Sequence, residues 1–139
     1  MTRHSIPANL AALSSIRQLV TQACQEAGLS EAASYRLTLA VDEIATNIIT
    51  HGYQEHGATG DIAITIERTD HHLTVILEDT GVAYDPREQG MPTADDLDKP
   101  LSDREIGGLG VFLALQGVDR FDYQRRNAVN RNTLEVDLP

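Results

Sequence analysis

Two alternating apolar runs constrain this chain most. In IAITI (62–66), Ile62, Ile64 and Ile66 alternate with small or polar residues; in LTVILED (73–79), Leu73, Val75 and Leu77 recur at every second position. A period of two puts each trio on one face of a pleated strand. The short stretch TDHH (69–72) joins them, so the spacing predicts an antiparallel hairpin with one apolar face to cover.

Helical periods supply the cover. In ANLAALSSIRQLVTQACQEA (8–27), Leu13, Ile16, Leu19, Val20 and Ala23 recur at three and four, and Gly28 stops the helix. Ser30 is an N-cap for a second helix running to about His51, with Leu37, Val41, Ile44 and Ile48 as its core stripe. After a loop and the hairpin, residues 80–106 lack any sustained period and hold three prolines and two glycines, which predicts a lid rather than an element. GGLG (107–110) then opens an apolar helix, VFLALQGV, followed by strands over FDY and NTLEVDLP. A short strand around His4–Ile6 adds to the sheet. This order predicts a two-layer α+β sandwich, helices on one face of a mixed, mostly antiparallel sheet, with residues 1–139 forming one domain.

Composition narrows the partners. With aromatics at 4% and no Trp, the core must come from Leu, Ile, Val and Ala. The net charge of −10 disfavours nucleic acid, whose phosphates need a basic patch, and also an anionic membrane surface. It permits basic protein partners and a nucleotide in a local site. Cys24 is the sole cysteine, so no intramolecular disulfide can form; the start MTRHSIPANL lacks a signal-peptide pattern, and the apolar runs are too short for a membrane span. These features predict a cytoplasmic protein.

Three features do not fit a plain core. Glu43 and Asn47 lie four apart on the second helix, along a line bordering Ile44 and Ile48. Such a line faces either solvent or a site; in a site, Asn offers a hard oxygen suited to Mg²⁺ and Glu a general base. Asp79 shares the parity of Leu73, Val75 and Leu77. It either starts a turn after a frayed strand or ends the apolar face as a carboxylate needing donors, such as an exocyclic amine, and Gly81 beyond it admits a close backbone. GGLG before a helix is either a turn or a cradle of N–H groups for phosphate. No Walker-type glycine–lysine motif and no G-x-G-x-x-G motif is present.

Taken in order, Glu43-x-x-x-Asn47, Asp79-x-Gly81, a lid and Gly108-x-Gly110 resemble the N-box and the two glycine boxes of the GHKL ATPase superfamily, which has the histidine kinase-like Bergerat fold. DEIATNIITHGY, DTGVAYDP and GGLGVFLALQGVDRFDY are similar to its stand-alone anti-sigma-factor serine/threonine kinases, over nearly the whole chain. The resemblance implies Mg²⁺-ATP as cofactor, with Asn47 as metal ligand and Glu43 positioning or deprotonating the attacking hydroxyl. It implies that Asp79 accepts from the adenine amine, that Gly81 makes room for the base, that Gly108 and Gly110 line the triphosphate and that Gly107 helps the lid, about 80–106, to hinge. The superfamily often has a Thr near the adenine on its last strand; here Asn132, with Thr133 beside it, stands at that place. The implied partners are a sigma factor and a STAS-type anti-anti-sigma protein as phospho-acceptor, and the implied assembly is a homodimer. An ATP-binding partner-switch module without kinase activity is the alternative. Arg104 is either a phosphate contact or a solvated charge, Arg17 roughly matches a partner-binding arginine, and Tyr53 and Tyr84 either flank the nucleotide or close the core rim.

Overall fold

A computed structural model describes residues 2–89 and 106–139. Strand β1 (Thr2–Pro7) leads into helices α1 (Ala12–Glu26) and α2 (Glu31–Asn47). The hairpin β2 (Asp61–Arg68) and β3 (His72–Asp79) follows, then α3 (Ile106–Gln116), β4 (Arg120–Arg126) and β5 (Val129–Asp137). The strands form one sheet in the order β1-β2-β3-β5-β4. Every pairing among the described strands is antiparallel, so the sheet is the pure form of the mostly antiparallel one expected.

The helix ends follow local chemistry. The Asn9 carboxamide oxygen accepts from the Ala12 N–H at 3.1 Å, so α1 starts four residues later than the apolar period suggested. Gly28 ends it at φ +75°, a conformation that suits glycine. The Ser30 hydroxyl accepts from the Ala33 N–H at 3.1 Å. Helix α2 does not run on to His51 in α form. After Asn47 the chain widens into a π-helical turn, Ile48–Tyr53, and a 3-10 turn, Gln54–His56. Such widened turns recur at functional sites, because the extra residue re-aims the side chains around it.

The alternating trios face the helices. Ile62, Ile64, Leu73, Val75 and Leu77 are fully buried against Ile16, Val20, Leu37, Val41 and Ile44 of α1 and α2. Cys24 lies in the same core, where burial pushes its thiol up and makes it a small apolar filler. The cross-strand register builds rows across the inner face. One row runs Ile66, Val75, Leu134, Phe121; the next runs Ile64, Leu77, Asn132, Tyr123; the last runs Ile62, Asp79, Asn130, Arg125. The face turns from apolar to polar over two steps of the pleat. That polar end lies where β3 leaves the sheet for the segment predicted as a lid.

Candidate active site

Two elements carry the site. Helix α2 brings Glu43 and Asn47, one turn apart on the same side. Asn47 is buried, and its carboxamide makes no hydrogen bond among the described residues; its Nδ2 is wholly shielded from water. Leaving a buried amide unpaired is costly, so the group fits a ligand that supplies an acceptor to Nδ2 and takes Oδ1 as a donor atom.

Glu43 is half-buried under α3. A Cβ added at Gly110 would stand 3.1 Å from Glu43 Oε2 and 3.3 Å from both Cδ and Oε1. The missing side chain therefore lets α3 close on the carboxylate. Burial pushes the Glu43 pKa up, and the neighbouring Asp42 charge adds to it. A carboxylate raised in this way is a better proton acceptor for a hydroxyl. Asp42 itself is tied to Arg17 of α1 at 2.8 Å, an exposed ion pair that occupies the arginine considered as a partner contact.

The sheet brings the other half. Asp79 is buried at the end of the inner face, as its parity predicted. It is held by the Gly81 N–H at 2.9 Å and by Asn130 Nδ2 at 2.9 Å. Both bonds fall on Oδ1, and no described residue donates to Oδ2. Burial pushes the Asp79 pKa up, while the Asn130 and Gly81 hydrogen bonds and the Arg125 charge oppose it. Asn130 was not singled out in the sequence, yet it is the hub. Its Nδ2 also donates to the Gly81 and Val82 carbonyls at 3.2 Å each, and its Oδ1 accepts from Arg125 Nη1 at 2.8 Å and from the Tyr123 hydroxyl. The signal available was only its parity with Asn132, two residues on.

Gly81 has a structural reason that the sequence did not show. A Cβ there would sit 2.6 Å from the Gly52 carbonyl oxygen and 3.1 Å from Asp79 Oδ1. The same Gly52 carbonyl accepts from the Val82 N–H at 3.0 Å. The π-helical turn after Asn47 and the turn after Asp79 are therefore locked together, which joins the two halves of the site. Tyr53 closes the core rim rather than facing a ligand. It is buried, donates to the Asp61 carbonyl at 3.1 Å and accepts from the Thr80 N–H at 2.9 Å. Tyr84 stacks on His51, ring centroids 4.9 Å apart.

Asn132 is buried on the inner face, one row from Asp79, with its Oδ1 unpaired. Thr133 is not brought to the site. The pleat that turns Asn132 inward turns Thr133 to the opposite face, across from Ile76 and Asp122. Helix α3 begins at Ile106, so Gly107 and Gly108 fall within its first turn rather than before it. First-turn N–H groups have no partner inside a helix, so the capacity to meet an anion is kept. Arg104 and most of the expected lid lie outside the described residues. Among the described residues no His, Cys, Asp and Glu cluster could hold a metal, so a cation here would rest on Asn47 and on oxygens of the ligand.

Comparison with known proteins agrees with this geometry. The profile of the histidine kinase-like ATPase domain matches residues 6–136. The serine/threonine-protein kinase BtrW of Bordetella bronchiseptica is 33% identical over 100 residues, 72% of this chain and 68% of that protein. The serine-protein kinase RsbW of Halalkalibacterium halodurans is 27% identical over 128 residues, 90% of this chain and 76% of that protein. The fold is shared with the histidine kinase domain of the Erythrobacter litoralis EL346 blue-light activated histidine kinase, at TM-score 0.54 and 19% identity over 92% of this chain and 60% of that one. It is shared also with the SiaB–SiaC complex from Pseudomonas aeruginosa, at TM-score 0.56 and 13% identity over 99% and 90%. The chain belongs to the histidine kinase-like ATPase family, and the relatives it resembles within that family are serine/threonine-protein kinases. No helix among the described residues is long and apolar enough to cross a membrane.

Proposed function

We propose that this protein is an ATP-dependent protein serine/threonine kinase that acts as an anti-sigma regulatory factor in the cytoplasm. One observation carries the reading: a desolvated Glu43 lies one turn from an unpaired, buried Asn47, on a helix locked to the Asp79 turn through Gly52 and Gly81. In this reading Asn47 Oδ1 would hold Mg²⁺, which when bound neutralises phosphate charge. Asp79 Oδ2 accepts from the adenine amine, Asn132 pairs nearby with the base or its water, and the backbone at Gly107, Gly108 and Gly110 lies along the triphosphate.

Glu43 orients the acceptor hydroxyl and takes its proton. The hydroxyl oxygen bonds to the γ-phosphorus as the bond to the β–γ bridging oxygen breaks, and ADP leaves. Little else is asked of the protein, since phosphoryl transfer rests on positioning and charge neutralisation. Residues 1–139 form one such domain, with about 80–106 as its ATP lid. The acceptor is a Ser or Thr of a STAS-type anti-anti-sigma protein, and a sigma factor is the second partner; the protein acts as a homodimer. Similarity to serine/threonine-protein kinases over 72% and 90% of the chain supports these assignments.

Calorimetry with ATP, with and without Mg²⁺, tests the site. Binding should need Mg²⁺ and weaken in Asn47→Ala; no binding to the wild type would overturn the reading. Glu43→Gln should keep ATP binding and lose phosphotransfer by about 10²-fold or more. A binding-only switch would keep its whole effect on the sigma factor in that variant.

A further inference from the structure

The polar row of the sheet contains a group that the proposed chemistry does not use. Asn130 of β5 is 2% exposed and makes hydrogen bonds through both ends of its carboxamide. Its orientation is fixed by what surrounds it. On the Nδ2 side stand three acceptors: Asp79 Oδ1 and the carbonyls of Gly81 and Val82. On the Oδ1 side stand Arg125, which can only donate, and the Tyr123 hydroxyl. A flipped amide would face acceptors with its oxygen and the guanidinium with its NH₂, so one orientation is imposed.

That fixed donor acts on one oxygen of Asp79. Together with the Gly81 N–H it saturates Oδ1, and it ties down the 79–82 turn through the two carbonyls. We infer that Asn130 is a positioning residue for base recognition: it clamps Asp79 through Oδ1 so that Oδ2 stays free to accept from the exocyclic amine of the base. The inference rests on the ATP-site reading and adds to it a group that need not touch the ligand.

The clamp also bears on protonation. A protonated Asp79 would present a donor where the amine needs an acceptor. Burial favours that neutral form, and the Asn130 bond, the Gly81 N–H and the Arg125 charge resist it, in that order. Among the described residues, few groups surround the carboxyl. From β4 comes Arg125, and from β5 Asn130; β2 offers the apolar Ile62 and the turn after α2 the backbone of Gly52. Arg125 is the one charged group acting on it among the described residues.

The test uses two variants of the whole protein. Asn130→Leu removes the amide at similar volume. Arg125→Gln, at an exposed position, keeps the Asn130 carboxamide and removes the charge together with the Arg125 hydrogen bonds to Asn130 Oδ1 and the Gly81 carbonyl. ATP affinity is measured by calorimetry at about pH 8 and about pH 6, and the Asp79 carboxyl is titrated by carbon-detected NMR without nucleotide. Asn130→Leu should weaken ATP by about tenfold at pH 8 and more at pH 6, with the Asp79 titration moved upward. Arg125→Gln should move the titration the same way by less, and it stands as the readout if Asn130→Leu fails to fold. Wild-type protein that binds no ATP overturns the ATP-site reading and the role given to Asn130 with it. Wild-type protein that binds ATP, while both variants keep its affinity at both pH values and an unmoved Asp79 titration, overturns the role of Asn130 alone.

Discussion

The row Ile66, Val75, Leu134, Phe121 and the row Ile62, Asp79, Asn130, Arg125 lie two pleats apart on the same face of the same sheet. They share strands and register. They differ in what holds them. The first is packed beneath helices α1 and α2, and its members gain by leaving water. The second buries a carboxylate and an amide, and each is tolerated because its neighbours complete its hydrogen bonds. A fold alone has no use for the second row. An apolar pair of similar volume would serve a core as well or better. In the proposed reading its polarity serves ligand recognition, and the contrast between the rows then separates stability from binding.

The largest expected effect falls on the apolar row. Leu134→Ala should cost about 2–5 kcal/mol by thermal or denaturant unfolding, through lost burial and the cavity left behind. ATP affinity of the folded fraction should change little. A large loss of affinity at unchanged stability would break the division between rows.

Asp79→Asn should do the reverse. Replacing the charged acceptor at Oδ2 by an amide donor should weaken ATP by about tenfold or more, as expected for a hydrogen bond to a charged group. Stability should rise slightly near neutral pH. The reason is that Asp79 binds its proton more tightly folded than unfolded, since burial outweighs the opposing bonds. The unfolded carboxyl ionises first as pH rises, so stability is lost from about the ordinary Asp value, about pH 4, up through the raised folded value, and stays lower above it. The variant lacks that loss. Melting curves of both proteins should converge in acid and separate with the variant more stable towards pH 8. A variant less stable than wild type at pH 8 would show that Asp79 also supports the fold.

Gly81→Ala probes the lock between the two turns. Its Cβ would meet the Gly52 carbonyl at 2.6 Å, and backbone there cannot rotate away. A loss of about 1–3 kcal/mol is expected, with ATP binding weakened in step as the Asp79 turn shifts away from Asn47. Wild-type stability with reduced affinity would assign the glycine to the ligand alone.

The smallest effect lies far from both rows. The β4–β5 turn places Asn127 at φ +52° and Ala128 at φ +64°. Asn tolerates this conformation and Ala does not, so Ala128→Gly should stabilise the protein by about 1 kcal/mol in a thermal melt. Unchanged ATP affinity in that variant would show that added stability by itself does not tune the site.

The sequence by itself determined the layers. Periods of two at 62–66 and 73–79 and periods of three and four at 13–23 and 37–48 are local properties, and each leaves one face that only another element can cover. Ser30 and Gly28 set helix ends through bonds within a few residues. Parity alone placed Asp79 inward, and spacing alone put Glu43 and Asn47 on one line. Tertiary structure decided the rest. The π-helical turn after Asn47 is one part of it, and the meeting of Gly52 with Gly81, the closing of Gly110 over Glu43 and the clamp of Asn130 on Asp79 join residues 29, 67 and 51 positions apart. Thr133 shows the same limit from the other side, for its neighbour in sequence faces the site and it does not. Period and capping are written in contiguous residues because backbone geometry repeats. A close approach between distant segments depends on how packed layers settle, and no local pattern encodes that distance.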